Sequence, residues 1–184
     1  EHVLQITLNR PNSGNALNVS GGSLTVGGAT NAAGSITVSG GTLALNGTSS
    51  VNTLGLSSGV LNGSGDLTVS NAFNYSGGTV GFSGALDVTH TGKLTLPAMG
   101  SLTSLLARAT GDISLSGNIA VSGSGNAITL AAGGDFLNSG NYTLSPGSGR
   151  WLVYSQDPAS IVKGGLSAGF KRYNCTFGAG CLTA

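Results

Sequence analysis

Two Gly-x-Ser-x-Gly pentapeptides, Gly55–Gly59 and Gly165–Gly169, are the first places to look for chemistry, because this pattern can hold a nucleophilic serine on a strand-to-helix elbow. Neither leads into a helical pattern, and among 184 residues with 33 glycines such matches arise from composition. A nucleophile would also need a base. The two histidines, His2 and His90, stand far apart, and each is read as an exposed polar residue or a hydrogen-bonded one. Asp66, Asp87, Asp112 and Asp135 recur at nearly regular intervals. A chain winding with a similar period would bring some of them to one side, the arrangement a glycosidase or lyase requires. No aspartate has another carboxylate within ten residues, so solvated turn positions are the expectation.

The remaining motifs are weaker. Gly63-Ser64-Gly65-Asp66-Leu67 is superficially like a calcium-binding nonapeptide, but it is short and not tandem, and no calcium is expected. No phosphate-loop or dinucleotide fingerprint is present, and no platform of basic and aromatic residues; nucleotide and nucleic-acid functions are not expected. Net charge is +1, and four of the seven basic residues (Arg150, Lys163, Lys171, Arg172) fall near the C-terminus, which leaves no broad basic field. Cys175 and Cys181 are too isolated for a four-ligand zinc site. They are read as a small disulfide loop, with free thiols as the alternative, and the loop would point to an oxidising compartment. No catalytic, cofactor-binding or metal-binding residue is assigned, and the chain is expected not to be an enzyme.

Whatever these residues do, a repeat must position them. Only 7% of the chain is charged, yet 39% is hydrophobic, so it has apolar side chains to bury and is not a disordered polar tract. Apolar-x-apolar triplets recur: Leu17-Asn18-Val19, Leu24-Thr25-Val26, Ile36-Thr37-Val38, Leu43-Ala44-Leu45, Leu54-Gly55-Leu56, and onward through Leu67-Thr68-Val69, Phe73-Asn74-Tyr75, Leu94-Thr95-Leu96 and Ile113-Ser114-Leu115 to Tyr142-Thr143-Leu144. Each is a short period-2 strand with two residues on one face. Gly-Gly, Ser-Gly and Asn-Gly pairs lie between them and let the chain turn.

The triplets that begin at Leu17, Ile36, Leu54, Phe73, Leu94 and Ile113 are almost evenly spaced, usually with two further strands inside each step. A recurrence of this kind predicts an all-β, right-handed parallel β-helix of about 19–21 residues per three-strand coil. An antiparallel sandwich has no reason to return every third strand to register. Inward Leu, Val and Ile should stack on their own kind, and outward Thr, Ser and Asn should form side-chain ladders.

Two stretches depart from the repeat. Leu102, Leu105 and Leu106 stand at helical spacing, which leaves a short helical corner or a distorted coil open. From about Ser155 the triplets stop, so the chain divides into a β-helix over 1–154 and a C-terminal cap or linker over 155–184. Val3 to Leu8 could add a strand at the other end. The start, Glu1-His2-Val3-Leu4, lacks the pattern of a signal peptide, and the chain is read as a mature or excised piece.

The stretches from Gly40-Gly41-Thr42-Leu43 through Leu61-Asn62-Gly63-Ser64-Gly65-Asp66-Leu67-Thr68-Val69, and Gly149-Arg150-Trp151-Leu152-Val153-Tyr154-Ser155, carry a resemblance. The first resembles the strand repeats of large secreted bacterial adhesins of the filamentous-haemagglutinin-like and autotransporter-passenger type. The second is similar to the segment where such solenoids lead into later modules. The resemblance implies a Gram-negative exoprotein, secreted or held at the cell surface and exported through an outer-membrane partner; from the motifs above, no cofactor is expected. Its function would be that of a non-enzymatic adhesin or matrix segment, a rod whose faces contact a surface glycan or protein. The alternatives are a filament subunit that self-associates through the ends of its β-helix and, least favoured, a carbohydrate-active enzyme.

Overall fold

A computed structural model describes residues 7–8, 15–157, 159–169, 171 and 177–178. Its strands are all parallel and wind into a β-solenoid of about seven turns, a parallel β-helix without helices among the described residues. Three faces repeat around the axis. The first contains Leu86–His90, Leu105–Ala109, Ile128–Ala132 and Trp151–Tyr154. The second contains Ala16–Val19 and, higher up, Leu94–Leu96, Ile113–Leu115 and Phe136–Leu137. The third runs through Ser23–Val26, Thr42–Leu45, Val60–Gly63, Thr79–Phe82, Met99–Leu102, Ile119–Val121 and Leu144–Ser145. In the lower coils, single bent strands, Thr30–Val38, Ser49–Leu56 and Leu67–Tyr75, pass from the first face to the second through a bulge.

Register makes the core. Leu17 pairs with Ile36, Ile36 with Leu54 and Leu54 with Phe73, so the spacing read from the triplets is the pairing itself. Because strand side chains alternate in direction, equal register stacks inward residues into columns. On the third face one column runs Leu24, Leu43, Leu61, Val80, Met99, Ile119 and Leu144. Its neighbour places Gly63 between Leu45 and Phe82; Gly63 has φ 146°, and a Cβ there would lie 1.9 Å from the Leu45 oxygen, so the backbone demands glycine. On the first face a column begins with two small polar residues, Thr30 and Ser49, before continuing as Leu67, Leu86, Leu105 and Ile128. Thr30 and Ser49 are buried, and their polarity is why no triplet marks the first-face halves of these bent strands, whose second-face halves carry Ile36-Thr37-Val38 and Leu54-Gly55-Leu56.

Glycines stack where the chain turns into the third face. Gly22, Gly41, Gly59 and Gly78 all have positive φ, at 67°, 66°, 78° and 93°. The carbonyls of Gly22, Gly41 and Gly59 each accept from the amide just beyond the next glycine, as in Val60 N to Gly41 O at 2.9 Å. A Cβ on Gly41 would lie 2.4 Å from the Gly22 oxygen, so both conformation and space demand glycine there.

The spacing of Leu102, Leu105 and Leu106 admits a helical corner. The structure has strands there, Met99–Leu102 and Leu105–Ala109. Leu102 and Leu105 point inward and are buried, while Leu106 faces outward, so the helical spacing is produced by a corner joining two strands. The side-chain ladders expected on the outward faces are mostly replaced by serine hydroxyls that donate to the carbonyls of the coil below. Ser58 Oγ bonds Ser39 O at 2.7 Å and Ser116 Oγ bonds Leu96 O at 3.1 Å; Ser39 Oγ to Asn18 Oδ1 at 3.3 Å is a true side-chain rung. Turn length also changes. Leu86 pairs with Leu105, Leu105 with Ile128 and Ile128 with Trp151, and each of the last two steps is four positions longer than the first. Longer corners such as Ser122–Asn126, with Gly125 at positive φ, take up the difference.

Thr7–Leu8 pairs with Asn31–Ala32, so part of the expected Val3–Leu8 strand forms; residues 3–6 lie outside the described residues. Beyond Tyr154 the path continues to Val162, which bridges to Leu137 on the second face. Phe177 packs edge-on against Tyr154 at 5.4 Å. Cys175, Cys181 and His2 lie outside the described residues.

Candidate binding cleft at a break in the ladder

The second face is discontinuous. From Ala16–Val19 up to Leu67–Tyr75 it belongs to the nine-stranded sheet, whereas Leu94–Leu96, Ile113–Leu115 and Phe136–Leu137 form a separate three-stranded one. No pairing joins Phe73–Tyr75 to Leu94–Leu96 among the described residues. The cause is a change in corner length. Phe73 follows Leu67 by six positions, but Leu94 follows Leu86 by eight, although Leu67 and Leu86 are partners. The two additional residues displace the upper strand from the lower, and every coil above keeps the longer corner.

Alternation of backbone direction shows what the break leaves open. Ser76 N–H donates down to Leu56 O at 3.0 Å, so the N–H and C=O groups of Phe73 and Tyr75 point up toward the missing partner. Buried amides are costly to leave unpaired. The Phe73 amide is satisfied by a side chain: it donates to His90 Nδ1 at 3.1 Å. His90 ends the strand Leu86–His90, faces inward with 7% exposure, and sits between the two sheets. Burial pushes its pKa below 6.5, and a hydrogen bond with the Lys93 backbone offsets part of that shift.

Beside this contact lies a cleft of about 210 Å³ lined by Phe73, Asn74, Tyr75, Ser76, His90, Lys93 and Thr95. It offers a cation, an amide, hydroxyls and aromatic rings, and backbone groups of the open edge. These can bind a polar group; they do not include a carboxylate or a nucleophile paired with a base.

The aspartates singled out from the sequence are placed differently. Asp112 and Asp135 do stack on one corner in successive coils, where Asp112 Oδ1 accepts from Asp135 N at 2.9 Å. Asp135 in turn accepts from Ser160 Oγ. Asp66 is at another corner and accepts from Ala85 N at 2.7 Å, and Asp87 pairs with Arg108 on the outside of the first face. Each carboxylate therefore serves the coil next to it. Ser57, in the first Gly-x-Ser-x-Gly match, lies in a coil corner with its amide bonded to Val38 O, and no helix follows. Among the described residues no three His, Cys, Asp or Glu side chains gather as a metal site would require.

Sequence reasoning named His90 but missed the cleft. The signal was the step from Phe73 to Leu94, longer by two positions than any other step in its series of triplets. Fold and cleft together define a class: a parallel β-solenoid with a polar cleft at a defect in its ladder. Comparison gives nothing more particular, since no protein-family model, curated protein or solved structure matches the chain.

Proposed function

We propose that the chain is a non-enzymatic segment of a secreted or cell-surface bacterial adhesin or matrix protein, a rod that presents contact surfaces. The observation that carries this reading is the use of its aspartates. Asp66, Asp112 and Asp135 bond backbone or hydroxyl groups of neighbouring coils, Asp87 is paired with Arg108 and Asp157 accepts from Ala159 N, so each of these carboxylates has a structural partner. The outward faces are rich in Ser, Thr and Asn, neutral groups that suit hydrogen bonding to glycans or protein surfaces, and the cleft at Phe73–Thr95 adds a polar concavity for such a contact. Export through an outer-membrane partner fits a chain that can fold coil upon coil after crossing.

The test is binding of the purified chain to cells and to glycan arrays, with reducing-sugar and unsaturated-product assays on the same polysaccharides. Saturable binding without turnover is expected. Product release, or no binding to any surface offered, overturns the proposal. A filament subunit is the second reading, favoured by Trp151–Tyr154, which closes the nine-stranded path as a half-buried edge with aromatic side chains. Light scattering that finds only monomers at high concentration removes it.

A further inference from the structure

The ladder break carries an inference that stands apart from whether the rod is adhesive. We infer that His90 is a proton-operated staple between the coil beginning at Leu67 and the coil beginning at Leu86: its neutral ring holds the Phe73 amide, and protonation releases that amide and loosens the cleft.

The geometry fixes the ring's state. Because Nδ1 accepts from Phe73 N–H at 3.1 Å, its lone pair carries no proton, and the proton of the neutral ring lies on Nε2. An imidazolium has a proton on both nitrogens. Its Nδ1–H would face the Phe73 N–H, donor against donor, and the bond would be lost.

Burial disfavours the charged ring, and the Lys93 backbone, which favours it, does not outweigh that. From Leu67–Tyr75 the titratable group at the cleft is Tyr75, whose hydroxyl donates to Gly78 O at 3.2 Å. From the corner above comes Lys93, a second cation. On the adjoining strand His90 pairs with Ala109, and the neighbouring Arg108 is bound to Asp87. No carboxylate lines the cleft. Protonation would therefore place two cations together and leave a buried amide without an acceptor.

The direction of the pH effect follows. The unfolded histidine titrates near 6.5 and the folded one below it. The unfolded chain thus takes up the proton first, and stability is full above that pH. It is lost as pH falls from about 6.5 toward the lowered folded-state value. The same proton frees the upper edge of Phe73–Tyr75, making an exposed strand edge available at acid pH.

The test uses the full chain carrying His2→Gln, so that His90 is the one remaining histidine. Amide protection is measured by NMR hydrogen exchange at about pH 7.5 and about pH 5. Protection at Phe73, corrected for intrinsic exchange, is expected to fall about tenfold or more on acidification, the loss of one hydrogen bond. Leu54, one coil below in the same column, should hold its protection. Adding His90→Gln, whose side-chain oxygen accepts at every pH, should abolish the change at Phe73. Protection at Phe73 that ignores pH, or that falls equally in the His90→Gln chain, overturns the inference. Should that variant not fold, the ring nitrogens of His90 decide the matter: they should titrate with the Phe73 amide shift at one midpoint below 6.5, and separate midpoints, or one at or above 6.5, overturn it.

Discussion

Asn138 occupies a position that a stacked core would give to a leucine. Ile113 pairs with Phe136, which puts Asn138 above Leu115 in the same inward column, and it is 0% exposed. Its amide is fully employed. Nδ2 donates to Tyr142 O at 2.8 Å and to Lys163 O at 3.1 Å, while Oδ1 accepts from Tyr142 N at 2.8 Å. One side chain thus ties the loop containing Asn141, at φ 55°, to the segment beyond Val162. Asn138→Leu would extend the apolar column but orphan three backbone groups. A net loss of about 2–3 kcal/mol is expected in urea unfolding, and an unchanged midpoint would show that packing wins over pairing.

At the scale of elements, corners matter as much as strands. Gly41 and Gly21 are neighbours in successive coils of one corner, yet only Gly41 combines positive φ with a carbonyl 2.4 Å from where its Cβ would be. Gly21 has nothing within 4 Å. Gly41→Ala is therefore expected to cost about 2–3 kcal/mol, and Gly21→Ala to stay within about 0.5 kcal/mol. Equal effects in chemical denaturation would mean that glycine acts here through the unfolded chain alone. The corner between first and second faces is the other decisive element. Its lengthening by two residues after His90 is what splits the sheet and makes the cleft.

The whole molecule is close to one-dimensional, each coil touching those above and below. A break on one face of three weakens one junction more than the others. Hydrogen exchange read by mass spectrometry should accordingly separate two blocks, with the boundary between Tyr75 and Leu94, whereas one uniform block would show that the other two faces suffice to couple them. Charge contributes little. The side chains of the Arg108–Asp87 ion pair are 38% and 37% exposed, open enough for solvent to screen them. Raising salt from about 0.05 to 1 M should shift stability by less than about 1 kcal/mol beyond the general salting-out trend, measured by urea midpoints.

The period of the coil, the identity of most inward residues and the glycine corners could be read from the sequence, because a parallel stack repeats its local pattern once per turn and pairs residues at the spacing the eye finds. Leu17, Ile36, Leu54 and Phe73 are register partners for that reason. The first-face halves of Thr30–Val38 and Ser49–Leu56 escaped, since each begins with a buried polar side chain, Thr30 or Ser49, where a triplet would have an apolar one. The spacing of the aspartates reads as solvated turns, and Asp66, Asp112 and Asp135 do lie at corners; that their oxygens accept from the adjacent coil is not written in that spacing. Only tertiary structure decided where the ladder fails and what stands in the gap. Two residues more in a corner are a trifle along the chain, but in a stack whose every rung must meet the next they move a strand out of reach, and His90 becomes the partner that Phe73 would otherwise lack.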